Sequence, residues 1–401
     1  MNASDYITAK TRVVAKKITK DIYVISNSPK ASLDEVYEMG YIVDADGEFV
    51  TPREFPIGTM TKDGYWDYYE CLYDFINGNR SLTKDSLLGF AVGDAFGVPY
   101  EFLSRKQIEG MQLDQMIGAD VPHDFVSRWS AIIPKGAWSD DTSMLIATMD
   151  SITENNDLNY NDMMDKFLEW FDKAKYTSTG STFGVGGIIY DSLRRYRENH
   201  DALRCGGRNY MDNGNGSLMR ILPVSLYCIY KNLPDYEVFA IISDASSITH
   251  AHEISRVACF IYTLFLKGLY ATGDKMEAFK RALSFDYKNW VSGPTYDLFR
   301  RILSEDFINV RREDIGESGY VLDTLEAVMY SVLHSDNYED TIKCAVKLGY
   351  DTDTVAGIAG SLAGALYGSE AIPQKWMNDL LKRDYLIKMA ESFDDVVLKR
   401  K

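Results

Sequence analysis

Cysteine is sparse and unpatterned in this chain of 401 residues. Cys71, Cys205, Cys228, Cys259 and Cys344 are scattered, odd in number and free of ligand spacing. A disulfide framework and a thiolate metal site are therefore not what organises the fold, and the five read as packing residues in a reducing compartment. Long apolar runs are also lacking. The two best, at 257–266 and 355–367, are too short to span a bilayer, and residues 1–20 carry no apolar segment of the secretory type. A soluble cytoplasmic protein without membrane association is expected. Positive charge is in deficit, with a formal net charge of −16, which argues against non-specific nucleic-acid binding. No tandem repeat at periods of 20–50 residues, no low-complexity tract and no Walker A ending occur. What is present is a core: 46% of residues are apolar, enough for one large domain or two.

The most telling stretch is Tyr350-Asp351-Thr352-Asp353-Thr354, which runs into Val355-Ala-Gly-Ile-Ala-Gly-Ser-Leu-Ala-Gly-Ala-Leu-Tyr-Gly368. Two carboxylates and a hydroxyl so close together offer the hard oxygen ligands that Mg²⁺ or Mn²⁺ takes. The following segment reads as a buried helix with Gly360, Gly364 and Gly368 on one face, where a second helix could approach closely. Those glycines cost helix propensity, so a packing reason is expected. A lone Asp351 or Thr354 would be read as a helix cap. A second acidic loop, Trp138-Ser139-Asp140-Asp141-Thr142, precedes another apolar helical pattern. Each loop alone supplies too few ligands for a six-coordinate ion, and together they suit a two-metal site. Gly89, Gly93 and Gly97 form a second small-residue stripe before Pro99, which is expected to end that helix nearby and leave Glu101 in a loop as a mobile acid.

Residues 1–80 differ from the rest. The runs at 11–19 and 21–26 are strand-like, 40–50 reads as a hairpin, and 65–76 as an amphipathic helix, together a small α+β appendage. Its first 30 residues carry six Lys or Arg against two Asp, and residues 31–80 carry three basic against eleven acidic. Such polarity suits either a docking surface or a solvated face. From 81 to 401 the pattern is helical, at 161–174, 185–198, 252–270, 320–334 and 338–348, with no strand pattern of comparable strength. The loop Tyr176-Thr-Ser-Thr-Gly-Ser-Thr-Phe-Gly184 precedes a helix and reads equally as a diphosphate cradle or a linker. Asn213-Gly214-Asn215-Gly216-Ser217 allows close backbone approach to a ligand ahead of a helix start at Leu218, or is a plain turn. His250 and His252 form a His-x-His without a third ligand nearby, so His250 is expected to hydrogen-bond within the cleft.

These motifs resemble the ADP-ribosylglycohydrolase family. The residues that carry the likeness are Gly93-Asp-Ala-Phe-Gly-Val-Pro-Tyr-Glu101-Phe, Trp138-Ser-Asp-Asp-Thr-Ser-Met, Asn213-Gly-Asn-Gly-Ser-Leu-Met-Arg220, Ser247-Ile-Thr-His250 and Asp351-Thr-Asp-Thr-Val-Ala-Gly-Ile-Ala-Gly360. Five ordered motifs spread over residues 81–368 are a specific signal. Ser139 stands where the family usually has Thr, and Tyr350 where Gly usually precedes the acidic pair. The resemblance implies a mainly α fold, an orthogonal helical bundle over 81–401 with the appendage at 1–80. It implies a hydrolase that releases ADP-ribose from a modified protein, most simply from arginine, with two Mg²⁺ or Mn²⁺ ions. Ser139, Asp140, Asp141, Asp351, Asp353 and Thr354 would be the ligands and Asp140 or Asp351 the base. Glu101 would ligate one ion or turn to a ribose hydroxyl. Ser178, Thr179, Gly180, Ser181, Thr182, Gly184, Asn213, Gly214, Asn215, Gly216, Ser217, Met219, His250 and Tyr350 would line the substrate. Three alternatives stay open: an immunity-type protein whose appendage blocks an ADP-ribosyltransferase, a non-catalytic relative, and another two-metal reaction such as phosphoester hydrolysis.

Overall fold

Side-chain bulk removed at every fourth position decides the centre of this protein. In the computed structural model, which describes Val14–Thr19, Ile22–Ser26, Tyr41–Asp44 and residues 81–398, helix α1 (Leu82–Gly97) runs against a late helix, Thr352–Tyr367. A Cβ built on Gly89 would stand 2.2 Å from the Gly360 carbonyl oxygen, one on Gly93 2.1 Å from that of Ala356, and one on Gly97 2.3 Å from that of Thr352. The reciprocal Cβ on Gly360 would meet the Gly89 oxygen at 2.3 Å. The stripe at Gly89, Gly93 and Gly97 thus packs along the late helix on Gly360, Ala356 and Thr352, and Gly364 meets the Asp85 carbonyl; Gly368, expected on the same face, instead caps that helix with φ +86°. The pairing is antiparallel, with backbone against backbone. It sets the C-terminus of α1 beside the N-terminus of the late helix, where Asp351 and Asp353 lie.

The late helix is α10, and around the pair stand α2 (Asp140–Asn155), α3 (Tyr160–Lys173), α4 (Gly187–Asn199), α5 (Leu222–Tyr230), α6 (Asp235–Ser247), α7 (Glu253–Thr272), α8 (Val321–Leu333), α9 (Tyr338–Lys347) and α11 (Arg383–Val397), with the helix Lys275–Leu283 and shorter helical pieces between. The 20-residue α7 is long and apolar enough to cross a membrane by length and composition, yet 78% of that window is buried in the core. Polar tethers fix the central helices: the Tyr338 hydroxyl donates to the Gly89 carbonyl at 2.6 Å, and Tyr262 and Ser361 share a bond of 2.7 Å. Among residues 81–398 there is no strand, only the isolated bridges Gly207–His250 and Gly214–Tyr320. Cys205, Cys228 and Cys259 are buried free thiols, as packing residues would be.

The chain divides into two compact units, 1–80 and 81–401. In the first, β1 (Val14–Thr19), β2 (Ile22–Ser26) and β3 (Tyr41–Asp44) form an antiparallel sheet in the order β1-β2-β3. β2, with Ile22, Tyr23, Val24 and Ile25, takes the centre, as its β-branched and aromatic content favours. The 40–50 segment was expected to fold back on itself. Its first strand pairs with β2, Ile22 opposite Asp44 and Ile25 opposite Tyr41, and the returning half lies outside the described residues. The helix expected at 65–76 lies outside the described residues.

Candidate active site

Asp94, on the last turn of α1, is the structural hinge of the site. Its buried carboxylate accepts from the Ser139 N–H at 3.0 and 3.2 Å, the Thr142 N–H at 3.0 Å and the Thr142 hydroxyl at 2.6 Å. It thereby holds the start of α2 against the glycine-paired helices. Burial pushes its carboxyl up to about 6 although those bonds oppose the shift. Ser139 caps α2 through its own hydroxyl, which accepts from the Asp141 N–H at 3.2 Å. Asp140 and Asp141, expected just ahead of the helix, form its first turn, so both carboxylates face the positive end of the helix dipole.

The second loop enters from the opposite half of the chain. Asp351 holds the N-cap position of α10, but its side chain makes no cap bond. Its Oδ2 accepts instead from Asn215 Nδ2 at 2.6 Å. The Thr354 hydroxyl reaches the carboxylates of Asp141 and Asp351. Pro99 lies in a short 3₁₀ turn (Val98–Tyr100) that ends α1, and Glu101 follows it. Carboxylate oxygens of Glu101, Asp351 and Asp353 all lie within 4.8 Å of one another. Burial, then mutual repulsion, pushes Asp140, Asp141 and Asp353 well above the ordinary carboxylate range, and Glu101 up to about 8. Asp141 Oδ2 and Asp353 Oδ1 are buried without a hydrogen-bond partner. A pocket of converging hard oxygens, two of them unmatched, has the donor set that divalent cations of the Mg²⁺ class require.

The acids open on a cavity of about 320 Å³. Glu101, Asp140, Asp141, Gly184, Gly214, Asn215, Gly216, Met219, His250, Tyr350, Asp351, Asp353 and Thr354 line it. Gly184 has φ of +83°, and a Cβ there would stand 2.2 Å from Asp140 Oδ1, so both backbone and space demand glycine. Tyr350 has a left-handed backbone, φ +63°, as does Phe102 at +67°. The strain is held by a two-bond latch: the Phe102 N–H donates to the Tyr350 carbonyl at 2.6 Å, and the Tyr350 N–H to that of Leu103 at 2.7 Å. The latch ties the Glu101 loop to the Asp351 loop, and the two rings meet edge-on at 5.8 Å.

Other sequence candidates do not line the cavity, and their polar groups bond elsewhere. The Ser178 hydroxyl donates to the Trp138 carbonyl at 3.1 Å, Thr182 to that of Trp170 at 2.9 Å, and Thr179 to that of Ser181 at 3.3 Å. Gly180 is a left-handed turn residue. Asn213 bonds Tyr210 and Ser255, and Ser217 accepts from Ser246 at 2.9 Å. The helix start at Leu218 is a single 3₁₀ turn, Leu218–Arg220; the α-helix α5 begins at Leu222, with Pro223 in its first turn. His252 caps α7, accepting from the Ile254 N–H at 3.3 Å, while His250 faces the cavity. Sequence reasoning passed over Asp94, although an acid within an apolar small-residue stripe was its signal. It also missed Phe102, at the end of the Glu101 motif, and Gly319, which carries no motif of its own; both line the cavity.

This set of acids on paired helices fits a hydrolase of the ADP-ribosylglycohydrolase class, which the family match shows. The ADP-ribosylglycohydrolase family model matches residues 78–401, and the chain belongs to that family. Among its relatives, an ADP-ribosylarginine hydrolase of Serratia proteamaculans is 30% identical over 312 residues, covering 77% of this chain and 78% of that one. The ADP-ribosyl-[dinitrogen reductase] glycohydrolase of Rhodospirillum rubrum is 27% identical, covering 74% and 88%. A solved structure described as an ADP-ribosylglycohydrolase-related protein complex superposes with a TM-score of 0.62 at 26% identity, over 79% of this chain and 98% of that one.

Proposed function

We propose that this hydrolase removes ADP-ribose from modified arginine side chains of proteins, with two divalent cations held by Ser139, Asp140, Asp141, Asp351, Asp353 and Thr354. The observation that carries it is the pair of buried, unbonded oxygens, Asp141 Oδ2 and Asp353 Oδ1, brought together from distant parts of the chain. The arginine assignment rests on the named activity of the Serratia relative. When bound, the cations supply charge that orients the vicinal ribose hydroxyls and a water molecule.

The chain does the rest. Cleavage of the bond at the ribose C1″ builds oxocarbenium-like positive charge, which the ring of carboxylates stabilises. Asp140 or Asp351 takes the proton of the attacking water. Asn215, bonded to Asp351 Oδ2, fixes the orientation of that carboxylate for the task. Glu101 sits on the latched loop within reach of a ribose hydroxyl. The glycine wall, with Gly184, Gly214 and Gly216, admits the diphosphate close to backbone.

The test is release of ADP-ribose from an arginine-modified protein with Mg²⁺ or Mn²⁺, compared with serine-linked substrate. Activity that persists in excess EDTA, or in Asp353→Ala, would overturn the metal assignment. A second role concerns residues 1–80, nearly all of which precede the family match and which form the first unit. This unit serves as an arm that blocks an ADP-ribosyltransferase. Deleting 1–80 should abolish capture of the transferase and spare hydrolysis; equal capture by both forms would remove the role.

A further inference from the structure

Arg220 is a buried cation without a carboxylate. It is fully enclosed, and its Nε and Nη1 have no hydrogen-bond partner. Its Nη2 donates to the Ala245 carbonyl at 3.1 Å and to the Thr249 hydroxyl at 2.6 Å, and its plane lies 5.1 Å from the Phe167 ring centre. Burying an unpaired guanidinium costs several kcal/mol, so a compensating use is expected. The Thr249 hydroxyl is also 2.9 Å from His250 Nδ1.

The direction of that second bond follows from the first. A guanidinium only donates, so Thr249 Oγ1 accepts from Arg220. The hydroxyl has a second lone pair and could accept from the imidazole as well, but its own proton would then be buried without an acceptor, since Arg220 and His250 are its only partners among the described residues. The proton therefore goes to His250, and Nδ1 accepts it. The proton of a neutral imidazole therefore resides on Nε2. That nitrogen is turned toward the glycine wall: Cβ atoms built on Gly216 and Gly214 would lie 3.3 and 3.6 Å from it. His250 and both glycines line the cavity.

We propose that Arg220 and Thr249 are positioning residues that hold His250 as a neutral Nε2–H donor aimed into the cavity, where it meets an acceptor oxygen of the ADP-ribose. The identity of the ligand rests on the function proposed above; the relay itself does not. Two further observations agree. Burial, and then the Arg220 charge, hold the His250 imidazole down at about 3, while Asp212 opposes this, so the ring stays neutral at physiological pH. Arg220, lowered by burial to about 10, stays charged there. It thus supplies a positive potential behind the glycine wall of a site otherwise crowded with carboxylates, where an anionic diphosphate would meet repulsion.

The experiment is long-range proton–nitrogen NMR on the imidazole nitrogens of the metal-loaded protein, paired with steady-state kinetics on ADP-ribosylated protein. There are five histidines, and His250→Asn identifies the signal. In the wild type, Nε2 should be protonated and Nδ1 bare, unchanged from pH 5 to 8. Thr249→Val should shift the proton toward Nδ1 and raise KM on the order of tenfold with kcat within about twofold, the loss of one charge-assisted hydrogen bond to bound ligand. Thr249→Ser should restore both. A proton on Nδ1 in the wild type, an unaltered tautomer in Thr249→Val, or a kcat loss without a KM change would overturn the relay. If Thr249→Val fails to fold, the wild-type and Thr249→Ser spectra still decide it. If no ADP-ribosylated substrate is hydrolysed, the functional reading falls while the nitrogen signals stand.

Discussion

Gly97→Ala tests whether helix pairing sets the geometry of the acids. The new methyl would lie 2.3 Å from the Thr352 carbonyl oxygen, 2.5 Å from Asp353 Cα and 2.6 Å from Asp353 N. All three are backbone atoms, so no side chain can swing aside. Reaching even 3.0 Å from the Thr352 oxygen needs a separation of about 0.7 Å at the point where α10 presents Asp353. Overpacking of this kind costs about 1–3 kcal/mol, offset by up to about 1 kcal/mol because alanine favours helix over glycine. With the full offset the expected net loss is up to about 2 kcal/mol, read as a lower urea midpoint at unchanged slope. The effect on catalysis should be larger in proportion. A displacement approaching 1 Å of a ligand-bearing turn is expected to cut ADP-ribose release on the order of 10²-fold. Gly293→Ala is the control, because a Cβ there meets nothing within 4 Å. If Gly97→Ala matched that control in midpoint and in rate, the close helix pairing could not be what sets the site.

The metal-free protein should lose stability as pH rises. Glu101 moves from an ordinary 4.5 to about 8 and Asp94 from 3.8 to about 6 in the folded state, both chiefly through burial. A raised folded value favours folding below the unfolded pKa and forfeits that advantage as pH climbs through the folded one, here from about pH 4 to 8. The Tm in chelator should therefore fall across that window, and the gain in Tm on adding Mg²⁺ should grow; a chelated Tm that rose with pH would contradict it. Asp94→Asn places an amide against the N–H of Ser139 and both donors of Thr142, at a cost of about 1–3 kcal/mol and a matching drop in Mn²⁺ affinity measured by calorimetry. Gly184→Ala should lower activity more than stability, since the left-handed backbone costs about 1–2 kcal/mol while the methyl strikes the Asp140 carboxylate directly. Native turnover in the Gly184→Ala variant would refute that contact.

Much of this architecture was legible from residue order. The helical periods, the glycine stripes, the stop at Pro99 and the two acid-rich helix entrances are local patterns, and backbone geometry translates them directly. Local pattern could not say which stripe met which. The match of Gly89, Gly93 and Gly97 with α10 joins residues more than 250 positions apart, and only folding reveals it. The fate of the hydroxyls was likewise undecided. Ser178, Thr182 and Ser217 look like ligand groups in sequence, but the Ser178 and Thr182 hydroxyls donate to the Trp138 and Trp170 carbonyls and Ser217 accepts from Ser246, all of them structural partners. Asp94 shows the reverse: an unremarked acid in an apolar helix becomes the anchor of α2 because the Ser139 and Thr142 donors arrive beside it. The sequence alone determined the kinds of groups available, the helices that carry them and the class of chemistry. Which groups share a cavity, and which are consumed holding it open, depended on long-range packing, since hydrogen bonds and repulsion act over distances that chain order does not encode.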